Sequence, residues 1–247
     1  PGLLLALIVR FTVIEPPRGA SENRSDTGDH PPLLSVFAFL LRKRSFLHMA
    51  VAAGLSAFTG YAVISFFPSF IVRSYDMQIV SLGVWLGLIL GIAGGFGFFS
   101  GGYFADHFGR VRQRNALRFI AATQVATAGL YALVFVAPTA AWCLIAFIVP
   151  AAVSNFYLAP VLAQTQGLVD LRMRGVASAI MLLSLNLLGL GVGPLAVGWL
   201  SDLLAPQFGD DSLRWALMTF CLLLLPWAAV HYYAAGNSIE ADLDSAR

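Results

Sequence analysis

The chain has 247 residues, 58% of them hydrophobic and 11% charged, with a net charge of +2 and a mean hydropathy of +0.78. Soluble domains carry about 25% charged residues, and a soluble fold of this size exposes too much surface to hide so apolar a composition. These figures exclude an ordinary soluble enzyme or a nucleic-acid-binding module and point to a chain that folds in lipid.

Residues 1–9, PGLLLALIV, read as the end of an apolar helix, without the basic leader of a signal peptide. The expectation is that a longer protein continues upstream. Residues 10–45 follow as a linker, and EPPRGASENRSDTGDHPP within it is polar and Pro-rich, as linkers are. LLSVFAFLLRKR comes next and is too short to span. Its residues 33–41 predict either a helix lying on the membrane surface, with Leu33, Leu34, Phe37, Leu40 and Leu41 on one face, or the start of the next span.

A spanning helix needs about 20 mostly apolar residues. Six runs meet that length: roughly Phe46–Val72, Ile79–Ala105, Ala116–Ala137, Ala141–Leu168, Val176–Leu204 and Leu213–Ala235. They are long and do not alternate apolar with polar residues, so they predict helices rather than barrel strands. Residues 46–236 are therefore expected to form a six-helix bundle, and residues 237–247 a tail. Thirteen of the 15 basic residues fall on the side of residues 10–44, 106–118, 169–174 and the tail; only Arg73 and Arg214 fall on the other. Basic residues crowd cytoplasmic loops, so both chain ends are expected in the cytoplasm and the bundle in the inner (plasma) membrane.

The second span carries Gly83, Gly87, Gly91 and Gly95 on one stripe, and Gly97 and Gly101 repeat the spacing from another start. In lipid, helices associate by close packing of small residues, so the stripe predicts contact with a partner helix, either fixed or able to slide. Gly189, Gly193 and Pro194 in the fifth span extend the same reading. The second span ends in GGYFADHFGR. Gly109 there predicts a left-handed helix end. Asp106 opposes the helix dipole unless it faces another helix's N-terminus or pairs with Arg110 four residues on.

Gly102, Asp106, Gly109 and Arg110 form G-x-x-x-D-x-x-G-R, which resembles the loop signature of the major facilitator superfamily. His107 and Val111 depart from the fuller pattern, where basic residues are common; Arg112 and Arg114 stand nearby. Four further spans follow the signature, so this copy resembles the one between helices eight and nine. The resemblance implies an all-α polytopic fold, here the six-helix C-terminal half of a twelve-helix protein plus the end of helix six. RMRGVASAIMLLSLNLLGLGVGPLAVGWLSD (Arg172–Asp202), GDDSLRWAL (Gly209–Leu217) and IVRFTVIEPPRG (Ile8–Gly19) are similar to the spinster-type branch. That implies a secondary active transporter working by alternating access. It would be coupled to protons and carry an amphiphilic or hydrophobic organic solute, such as a lysolipid or a sphingolipid-like molecule. A passive lipid scramblase or a non-transporting sensor with the same fold is the alternative.

The family lines its central cavity with the first and fourth helices of each half, which here makes Tyr61, Ser65, Asn155, Tyr157 and Gln164 the candidates. The loop residues Asp106 and Arg110 and the glycine stripe would gate it. Expected partners are the solute, protons, membrane lipids and the N-terminal half. The carboxylate that carries protons is expected in that half, because few ionisable groups lie in these spans. His48, Asp202 and His231 fall near span ends and read as interfacial. Cys143 and Cys221 lie in apolar runs and read as buried hydrophobes. No P-loop, dinucleotide fingerprint or metal-ligand spacing occurs in the sequence, so neither cofactor, metal nor enzyme activity is expected.

Overall fold

The computed structural model describes residues 2–14 and 31–245. Every regular element among them is helical: α1 (Gly2–Thr12), α2 (Leu33–Leu41), α3 (Arg44–Tyr75), α4 (Ile79–Leu88), α5 (Gly94–Gly109), α6 (Gln113–Phe135), α7 (Ala140–Val153), α8 (Leu158–Gly167), α9 (Arg174–Asn186), α10 (Gly193–Phe208) and α11 (Ser212–Asp244). Helices close their hydrogen bonds within the segment, which is what apolar runs of this length need in hydrocarbon. α4 runs into α5 through a wide π-helical turn at Ile89–Ala93, and α9 into α10 through another at Leu187–Val192. α7 and α8 are parted by a turn at residues 154–157, between Pro150 and Pro160. Proline removes a backbone donor and crowds the preceding turn.

Among the described residues five helical stretches are long and apolar enough to cross a bilayer, and the last of them, Leu171–Asp244, has 74 residues. Straight, it would extend about 110 Å at 1.5 Å per residue. It doubles back at Gly209, whose φ of 56° and ψ of −128° suit a residue without a side chain. α10 and α11 then lie side by side, with the Ser201 and Ser212 hydroxyls 3.2 Å apart and the Phe208 and Trp215 rings 5.5 Å apart. The chain therefore makes six crossings: α3, α4–α5, α6, α7–α8, α9–α10 and α11.

Residues 106–113, 167–174 and the end of α11 share one arginine-rich end of the bundle. At the opposite end, Asp211 accepts from Ser74 Oγ at 2.8 Å and pairs with Arg214 at 3.3 Å. The Arg214 guanidinium lies over Phe70 and Tyr75, and the Tyr75 hydroxyl donates to the Ala137 carbonyl at 2.6 Å. The core divides along the same axis. One cluster, near the arginine-rich end, is built on Met49, Leu117, Ile120, Met181 and Tyr232. The other is built on Phe67, Phe70, Phe135, Phe147 and Leu217, with Phe67 and Phe147 stacked at 4.0 Å. Large apolar side chains such as Phe99, Leu195 and Trp199 stay exposed around the outside, where lipid is their natural solvent.

α2 is a helix of its own, broken from α3 by the extended backbone of Lys43. It buries Val36 and Leu40 against the bundle and leaves Leu33, Leu34, Phe37 and Leu41 exposed, so of the apolar face read from sequence Leu40 alone docks on the bundle. Two sequence expectations change here. α11 does not stop near residue 236 but continues to Asp244, because Ile239 is fully buried and Asp242 is tied to α3. Gly109 does not end its helix in a left-handed turn. The α conformation continues into Arg110, at φ −55° and ψ −36°, and among the described residues only Gly209 is a glycine with positive φ. The stretch 15–30 of the expected linker lies outside the described residues.

Candidate functional site

A cavity of about 440 Å³ opens at the seam between the two core clusters. α3 contributes Ser56, Ala57, Gly60, Tyr61 and Ile64; the α4–α5 helix contributes Leu90, Gly95 and Phe98; Tyr131, Phe147, Tyr157 and Leu185 close it. The walls are mostly apolar, with a few placed polar groups, which is the usual make-up of a small-molecule site. The Tyr61 hydroxyl donates to Asn186 Oδ1 at 2.9 Å, and Asn186 Nδ2 is itself fixed by the Leu182 carbonyl at 2.8 Å. Asn155 sits in the break between α7 and α8. Its Nδ2 donates to the Ala151 carbonyl at 3.2 Å, leaving its side-chain oxygen available to an incoming donor.

Of the candidates read from sequence, Tyr61, Asn155 and Tyr157 lie in this cavity and two do not. Ser65 is exposed and lines no wall of it. Gln164 lies toward the arginine-rich end, buried, with its Nε2 donating to Gln113 Oε1. Gln164 lies seven residues along α8 beyond Tyr157, about 10 Å further toward that end. Ser56, Tyr131 and Ser154 are polar residues of the lining that the sequence candidates did not include. The apolar/polar pattern of one helix does not tell which neighbour a mid-span Tyr or Ser meets.

A second cavity, about 910 Å³, lies at the arginine-rich end between α5, α6, α8 and the start of α9. Asp106, Gly109, Arg110, Gln113, Gln164, Asp170 and Arg174 line it. Among the described residues Asp106 and Arg110 form no ion pair with each other; the Arg110 amide bonds the Asp106 backbone carbonyl at 3.0 Å, as a continuing helix requires. A Cβ on Gly109 would meet Gln113 Oε1 at 3.4 Å and the Ala116 methyl at 3.5 Å, which are ordinary contact distances. Gly102 stands two turns earlier, 3.9 Å from the Ala159 methyl on the same measure.

The glycines divide into two sets. Gly83, Gly87, Gly91 and Gly95 have open space where a side chain would go, so the described residues supply no partner for that stripe. Gly97 and Gly101, on the other register, are the packed ones. A Cβ on Gly97 would fall on the Ala152 carbonyl, and one on Gly101 would lie 2.5 Å from the Phe156 Cα. Gly189 and Gly193, in and just after the second π turn, meet α3 as closely: a Cβ would lie 2.7 Å from the Ala57 methyl and 2.8 Å from the Phe58 carbonyl oxygen, respectively. Pro194 follows at the first positions of α10, where a missing amide costs nothing.

Residues 1–194 match the family model described as Major Facilitator Superfamily. The chain belongs to the major facilitator superfamily. Six crossings with paired interrupted helices are one half of the fold that this superfamily builds from repeats. Among curated proteins, it is 31% identical over 204 residues to an MFS-type efflux pump of Mycolicibacterium smegmatis, an alignment that covers 83% of this chain and 47% of that one. Its fold is similar to crystal structures of a bacterial homologue of the human lysosomal transporter Spinster, both inward-facing. The unoccupied form gives a TM-score of 0.73 at 24% identity, covering 98% of this chain and 58% of that one. The occupied form gives 0.70 at 22%, covering 98% and 57%. The chain thus spans about half the length of the relatives that it matches. At the family level these relatives are multi-pass membrane transporters rather than enzymes.

Proposed function

We propose that this chain is the C-terminal half of a proton-coupled secondary transporter that carries an amphiphilic or hydrophobic organic solute by alternating access. The observation that carries the reading is the cavity between the two core clusters. Its walls favour an apolar body, while Tyr61, Asn155 and Tyr157 offer a polar end a small set of hydrogen bonds. The match to an MFS-type efflux pump supports a transporter; the lysolipid-like or sphingolipid-like solute rests on the spinster-type resemblance of Arg172–Asp202 and Gly209–Leu217. In this reading both chain ends are cytoplasmic, and the cavity at Asp106 and Arg110 is the cytoplasmic gate, closed when the companion half meets it. The uncovered Gly83–Gly95 stripe faces that same half.

The test uses the complete transporter in proteoliposomes, with an imposed proton gradient and either a fluorescent lysolipid or a lipophilic dye. Uphill accumulation that a protonophore abolishes is expected; flux indifferent to the gradient would indicate a passive scramblase instead. Tyr61→Phe with Asn155→Ala should weaken apparent affinity about tenfold, the equivalent of about 1.4 kcal/mol of lost hydrogen bonding, with helical content unchanged. An unaltered affinity would remove this cavity from the transport path.

A further inference from the structure

His48 on α3 and His231 on α11 are 183 residues apart in sequence, yet their Nδ1 atoms stand 2.9 Å from each other. The ring centroids are 5.1 Å apart and tilted by 46°, and Trp227 closes the other side of His231 at 6.2 Å. Both rings are partly buried. We infer that the two imidazoles form a single proton-binding site that clasps α3 to α11.

The argument is one of hydrogen positions. At 2.9 Å one Nδ1 must donate and the other accept, so the neutral pair holds one ring in each tautomer. A first proton goes to the free Nε2 of the donor ring. That ring becomes an imidazolium whose Nδ1–H bond to its neighbour is charge-assisted and stronger. A second proton has to land on the accepting Nδ1. It destroys the bond and sets two cations face to face. The pair can therefore hold one proton with its bond intact but not two, and that proton belongs to the pair rather than to either histidine.

No carboxylate competes for this role nearby. α2, α4, α8 and the two π turns contain no charged residue; α9 has only Arg174, at its first position, and α10 only Asp202, near the opposite end. On α3, Arg44 lies one turn before His48 and is exposed, while Lys43 is engaged by Asp242 and Ser245. On α11, Glu240 and Asp242 lie more than two turns beyond His231. On α6, Arg118 lies over the Tyr233 ring and bonds Asn237. The clasp is therefore tuned by the two rings themselves.

Nuclear magnetic resonance on the complete protein in micelles, labelled with ¹⁵N-histidine, tests this directly. Expected are a scalar coupling between the two Nδ1 nuclei and, as the pH is lowered, an uptake of one proton by the pair. The coupling should strengthen at that step and vanish on the second. His48→Gln and His231→Gln should each abolish the coupling, and the remaining ring should then titrate alone. Two independent titrations without coupling in the unaltered protein would overturn the proposal, whether or not the variants fold. The readout is separate from transport, so a failure of proton-coupled transport would leave the clasp standing, and the reverse.

Discussion

A carboxylate on the last turn of α11 completes the first turn of α3. Asp242 Oδ2 accepts from the Ser45 amide at 2.8 Å and from Ser45 Oγ at 2.7 Å. It thus caps a helix whose own N-cap position, Lys43, makes no side-chain cap. Lys43, only 7% exposed, returns the favour: its ammonium donates to the Asp242 carbonyl at 3.1 Å and to Ser245 Oγ at 2.6 Å. Negative charge at a helix start and positive charge at a helix end both agree with the macrodipoles. Asp242→Ala should cost about 1 kcal/mol, the usual worth of a cap, and lower the melting temperature by about 2–4 °C for a chain of this size. Asp242→Asn, which keeps an acceptor, should lose less. Circular dichroism of both variants in detergent checks the ranking. None of this was legible in the sequence, where residues 237–247 read as a tail, because a cap supplied from another helix leaves no local spacing. The loop signature was legible as a motif, since Asp106, Gly109 and Arg110 sit at a reversal. The packing around Gly109 gives no reason for a glycine, since Gln113 and Ala116 stand at ordinary contact distance from where a side chain would begin.

Glycine periodicity told where helices approach closely, but not which register makes the contact. The sequence offers two sets of glycines four apart on one helix, and only the burial of Gly97 and Gly101 against α7–α8 distinguishes them. The π turns add to the difficulty. An extra residue per turn rotates everything downstream, and no composition rule marks ILGIA or LLGLGV as the place. Side chains at the two sets should have opposite consequences. Gly97→Leu places atoms where the Ala152 backbone already is and should unfold the bundle or block its expression. Gly87→Leu meets open space in this chain and should leave thermal stability within about 0.5 kcal/mol, while impairing transport in the complete protein if the companion half packs there. Melting curves beside transport rates separate the two effects. A Gly87→Leu protein that transports normally would mean that the stripe merely faces lipid.

The number and order of crossings came from the sequence with little help, since each apolar run reappears as a helix or a pair of helices close to the expected bounds, except that α11 runs nine residues past Ala235. Orientation rests on the thirteen-to-two division of basic residues, and reporter cysteines can check it. Cys143 and Cys221 are both buried, so the background should be low. Cysteines introduced at Met77 and at Arg112 should react with a membrane-impermeant thiol reagent from opposite sides of intact cells, Met77 from outside. Labelling of both from one side would reverse or break the assigned topology. What the sequence withheld at this scale is the pairing of distant helices. That pairing creates the cavity at Tyr61 and the contact of the two histidines, which are 183 residues apart.

The missing side chains at Gly97 and Gly101 also limit which parts can move. A carbonyl and an α-carbon of the neighbouring segment occupy the space that two β-carbons would fill, so α5 cannot slip along α7–α8 by even one residue without collision. Motion on the uncovered glycine face has to carry α7–α8 along as a passenger. The broken segment that bears Asn155 and Tyr157 is thereby geared to the outer surface of the second crossing. Any displacement of that surface would therefore carry Asn155 and Tyr157 with it through backbone contacts.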